Sequence, residues 1–104
     1  MTGSGDSALQ LLGLAARAGA LAPGTSQVVE AARAGRLAFA LVATDLTATG
    51  RAKLLPVLER TGVRHVVQYT RAELGRAVGR SPLAAVGVAD PGFGDRLAAL
   101  VAGE

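Results

Sequence analysis

Residues 24–45 read GTSQVVEAARAGRLAFALVATD, and two kinds of secondary structure meet inside them. Gly24 opens a run of small polar residues, a short apolar helix follows, and Gly35 stops it between Arg33 and Arg36. Ala38 to Thr44 is then an unbroken apolar run, the pattern of a strand covered on both faces. A helix feeding directly into a doubly buried strand marks an α/β protein rather than a bundle or an all-β fold.

The same alternation extends outward. Upstream, Pro23 disfavours helix for the residue before it, so Leu21-Ala22 is a short extended piece. Before that, Ala8, Leu11, Leu12 and Ala15 follow amphipathic helical spacing, and Gly19 ends the helix. Ser7 with Gln10 fits a capping box at its start, leaving residues 1–5 as a flexible tail.

Downstream, a helix from about Thr47 to Arg60 carries Leu54, Leu55 and Leu58 on one side, and its Pro56 implies a kink or a late start. His65 to Tyr69 reads as a second buried strand. Thr70 and Glu73 form another capping box, on a helix that reaches Val78 before Gly79. Leu83 to Ala89 is a third apolar strand. Asp90-Pro91 then starts a last helix with Leu97, Leu100 and Val101 inward. The expectation is one domain over residues 6–104, an α/β sandwich whose central sheet has helices on both faces.

At 104 residues there is room for one modest core. Half the residues are apolar and 18% are charged, which suits a folded chain rather than a disordered one. With Phe39, Tyr69 and Phe93 as its aromatics, the chain lacks a stacking platform for single-stranded bases. It has no cysteine, so disulfides, thiolate metal sites and cysteine nucleophiles drop out. Net charge is +3, and ten of the eleven basic residues are arginine, the residue that grips phosphate with two prongs.

ALQLLGLAARAGALA, residues 8–22, is a poor signal peptide. No basic residue precedes it, Asp6 does, and Arg17 interrupts it. No apolar run reaches transmembrane length, so the expected location is the cytoplasm, with no membrane partner. His65 sits in an apolar strand and reads as structural. The aspartates fall mostly at helix starts, where they cap. No Walker loop or dinucleotide fingerprint occurs. The reading is therefore non-enzymatic, with no catalytic residue, metal, cofactor or small-molecule substrate.

Three stretches in order, LLGLAARAGALAPG, GTSQVVEAARAGRLAFALVATD and LGRAVGRSPLAAVGV, resemble the kink-turn RNA-binding superfamily of ribosomal proteins L-seven-Ae and L-thirty-e. The likeness is greatest to its YlxQ-like bacterial branch and covers about residues 8–100. It implies a three-layer α/β/α sandwich around a four-stranded mixed sheet, and binding of structured RNA, ribosomal RNA included, by a monomer.

The family's helix start reads Gly-x-Asn-Glu/Gln, with a lysine one turn later, and enters the RNA groove. Gly24 and Gln27 match; Ser26 stands at the Asn position and Glu30 at the Lys position. A helix N-terminus offers unpaired N–H groups to phosphate, but a serine hydroxyl cannot read a base edge with two prongs, and Glu30 repels the backbone. The family's second RNA-facing loop corresponds to Gly79-Arg80-Ser81-Pro82-Leu83. The candidate RNA-binding residues are Gly24, Thr25, Ser26, Gln27, Arg33, Arg36, Arg76, Arg80, Ser81 and Leu83. Gly75, inside a helix, implies close approach by something, either a ligand or a neighbouring helix. The alternative function is a protein-interaction module on the same scaffold, with kink-turn recognition lost.

Overall fold

Strand and helix alternate along the computed structural model, which describes residues 4–102. Its first elements are α1 (Ser4–Arg17), β1 (Leu21–Pro23), α2 (Thr25–Arg33), β2 (Phe39–Val42) and α3 (Ala48–Arg60). There follow β3 (His65–Val67), α4 (Arg71–Val78), β4 (Ala85–Val88) and α5 (Pro91–Ala102). The strands form a four-stranded mixed sheet in the order β1-β4-β2-β3. β4 runs antiparallel to both β1 and β2, while β2 and β3 are parallel and joined by the α3 crossover.

Side chains alternate across the two central strands, and each face has its own core. Phe39, Leu41, Val86 and Val88 pack with Leu11, Leu12, Leu74 and Leu97, from α1, α4 and α5. Ala40, Val42 and Ala85 pack on the other side with Val28, Leu54 and Leu58, from α2 and α3. Helices thus cover both faces, giving the α/β/α sandwich.

Several local expectations change. β2 and β4 are buried throughout, as their unbroken apolar runs require. β3 is not: it lies at a sheet edge, His65 and Val66 are half-buried, and Val67 is exposed, at 43%. It also ends two residues before Tyr69, whose φ of 67° takes the chain out of the strand. Of the tail expected at 1–5, residues 1–3 lie outside the described ones, and Ser4 and Gly5 already belong to α1. Ser7 and Gln10 therefore sit inside that helix instead of forming a box at its start. Pro56 lies within α3, which runs on through it. Having no N–H, it deprives the Ala52 carbonyl of its donor one turn on.

Other starts form as read. The Thr47 hydroxyl accepts from the Gly50 amide at 3.0 Å, and the Asp90 carboxylate accepts from the Phe93 amide at 2.9 Å. At α4, Thr70 and Glu73 make the reciprocal capping box, and Gly79 closes the helix in the left-handed conformation. The Arg71 amide, also at this start, donates to Asp45 at 2.8 Å. That hydrogen bond, with the Arg71 guanidinium 3.5 Å away, holds the Asp45 carboxyl below its ordinary value.

Candidate nucleic-acid interface

Pairing of β1 with β4 decides what stands beside the start of α2. Pro23 is opposite Val86, so the next residue, Gly24, reaches the Ala85 carbonyl and donates its amide at 2.8 Å. A β-carbon built on Gly24 would lie 3.9 Å from the Leu83 side chain. The two segments singled out in the sequence, 24–27 and 79–83, therefore meet at one end of the β1–β4 pair.

Gly24 has φ 94° and ψ 158°, a region that is essentially glycine's alone. The backbone demands glycine here, whatever approaches from outside. As N-cap it contributes only its carbonyl, which accepts from the Val28 amide at 3.0 Å, and no side chain caps the helix. α3, α4 and α5 each carry a side-chain cap; α2 does not. Among the described residues, the amides of Thr25, Ser26 and Gln27 meet no acceptor. The Ser26 and Gln27 side chains are exposed beside them.

The second segment is shaped by Gly75. A β-carbon there would fall 2.7 Å from the Ser81 carbonyl carbon and 2.9 Å from the Pro82 Cα. What approaches Gly75 is thus the chain's own loop, lying across α4. The Arg80 amide donates to the Gly75 carbonyl at 2.8 Å and the Leu83 amide to the Arg71 carbonyl at 3.1 Å. Arg80, Ser81 and Pro82 are left exposed, while Leu83 is half-buried against the core.

The remaining candidates separate. Thr25, Ser26 and Arg33 line a groove of about 390 Å³ between α2 and α3, together with Lys53 and Arg60. Gln27 and Arg36 line a depression on the opposite flank of α2, beside β1, and Glu30 stands between them. Arg76 belongs to neither. It lines a groove between α1 and α4 with Arg17, in the other helical layer. Lys53 and Arg60 were not singled out in the sequence. Their seven-residue spacing puts them on one stripe of α3, but only the packing of α3 on α2 turns that stripe toward Arg33.

Two ion pairs occur among the described residues, Arg64 with Asp95 at 2.7 Å and Arg71 with Asp45 at 3.5 Å. Arg64 also lies over the Phe39 ring, 5.9 Å from its centre. The cations around α2 and the 79–83 loop have no carboxylate partner among those residues. Nor do any three His, Asp or Glu side chains of the described residues gather as a metal site. No helix of the described residues is long and apolar enough to cross a membrane.

A three-layer sandwich with a four-stranded mixed sheet and an uncapped helix start beside a glycine-tethered loop defines a class of small α/β proteins. The chain belongs to the ribosomal protein L7Ae/L30e/S12e/Gadd45 family, whose model matches residues 6–98. It is similar to the solved structure of a protein of unknown function from Bacillus halodurans, at 38% identity and a TM-score of 0.86. That match covers 91% of this chain and 96% of the other. It shares its fold with a Giardia lamblia 15.5kD RNA-binding protein, at 23% identity and a TM-score of 0.76, over 91% of this chain and 82% of that one. A search of curated proteins returns no match.

Proposed function

We propose that this is a non-enzymatic, cytoplasmic RNA-binding protein that holds structured RNA as a monomer, at the edge formed by residues 24–36 and 79–83. Family membership supports the reading. The observation that carries it is the meeting of the uncapped α2 start with the Arg80–Leu83 loop, which puts unpaired amides beside Arg80, a cation with no carboxylate partner among the described residues, at one end of the sheet. Amides of this kind bind phosphate oxygens and carry no base information. With Ser26 in place of an amide side chain and Glu30 on the same helix, recognition rests on backbone and shape more than on kink-turn base pairs. Structured RNA of the ribosome is the natural setting for such a protein.

One observation favours the alternative, a protein-interaction module. Glu30 and Arg36 give the β1 flank of α2 mixed charge, which suits a protein partner better than a polyanion.

Restoring the family pattern separates the two. Ser26→Asn with Glu30→Lys should tighten binding to a kink-turn RNA by about 1–3 kcal/mol, through a removed repulsion and a two-pronged amide contact. Glu30→Lys alone should help a plain hairpin of equal length as well; Ser26→Asn should help only the kink-turn. A folded double variant that gains on neither RNA removes α2 from the RNA surface and puts the protein-interaction reading first.

A further inference from the structure

On α2, Ser26, Val29 and Arg33 follow the i, i+3, i+7 spacing of one helix stripe; on α3, Lys53, Pro56 and Arg60 do the same. Both stripes line the groove of about 390 Å³ between the helices. Its walls carry three cations, Arg33, Lys53 and Arg60, and no carboxylate. All three are exposed, and none pairs with a carboxylate among the described residues. Like charges gathered along a concave strip with no counter-charge repel one another and focus a positive potential into it. The β1 flank of the same helix, with Glu30 beside Arg36, does not have this character.

We infer that the α2–α3 groove binds the phosphate backbone of an RNA helix, continuing the contact made at the α2 start. The inference rests on the RNA-binding reading and extends it to residues outside the proposed edge. The groove and the edge share Thr25 and Ser26, so a strand held at the α2 amides passes directly into it. Lys53 and Arg60 are two turns apart, about 10 Å along α3, so they meet different phosphates of one strand. The loss of a cation at Glu30 is thereby offset on the other flank of α2. The contact carries no sequence information, because it reaches no base edge.

The test compares wild type with the variant Lys53→Gln, Arg60→Gln on two RNA hairpins of unrelated sequence. Both side chains are exposed and glutamine is a good helix former, so the fold is kept. Affinity should fall alike for both hairpins. The plot of log affinity against log salt should become shallower by about two, so the wild type's advantage shrinks about tenfold between about 50 and about 200 mM salt. A second readout uses the wild type alone. Lys53 is the chain's one lysine, so acylation by an amine-reactive reagent, read on the Lys53 peptide by mass spectrometry to separate it from the α-amino group, reports on that side chain, and bound hairpin should slow it severalfold. If the wild type binds RNA but the variant keeps its salt slope, or Lys53 is acylated as fast as in free protein, the groove proposal is overturned and the RNA reading stands. If neither hairpin binds, both are overturned.

Discussion

At Gly75 any side chain would collide with the backbone of Ser81 and Pro82, and no rotamer can relieve a clash with backbone. Gly75→Ala would add about 1 kcal/mol of helix propensity, but seating the methyl should cost about 1–3 kcal/mol by moving the loop. We expect a lower Tm and weaker RNA binding together, since the displaced segment carries Arg80 and Ser81. A thermal melt and a binding titration on the same sample check this; an unchanged Tm would show that the loop yields freely. A glycine inside a helix was visible in the sequence as a sign of close approach. Its neighbour was not, because the loop that crosses it is brought back only when Leu83 bonds to the Arg71 carbonyl. Gly24 is the converse case. Its place at a helix start was legible, whereas its φ of 94° depends on the sheet pairing that precedes it.

Among the elements, helix starts and stops were the most legible, because caps are local chemistry. Thr70 with Glu73, Asp90 and Gly79 all act where their types and spacing place them, and α3 starts one residue after the expected Thr47. Strand burial was less so. Val66-Val67 continues the apolar character of the central runs, but the sheet order β1-β4-β2-β3 puts β3 at an edge, and order is a property of the whole chain. The difference is measurable. Val86→Ala removes two buried methyls from a fully covered strand and should cost about 2 kcal/mol or more in urea unfolding. Val67→Thr, on an exposed position of β3, should stay within about 0.5 kcal/mol. Equal losses at the two positions would mean that β3 is covered in solution.

For the whole molecule, a net charge of +3 is mild, and what matters is where the charge lies. Arg64 and Arg71 are committed to ion pairs, and Arg17 and Arg76 face the α1–α4 groove, while Arg33, Arg36, Lys53, Arg60 and Arg80 lie around α2 and its adjoining loop. The sequence marked Arg33 and Arg80 because their segments resemble a family pattern. It was silent on Lys53 and Arg60, whose relevance comes from two helices packing side by side. The central claim is that this surface grips RNA through its phosphates, and a salt titration of wild-type protein on a structured hairpin tests it most directly. With a handful of phosphate contacts, affinity should fall by about two to three orders of magnitude between about 50 and about 200 mM salt. Affinity that stays flat over that range would contradict the account.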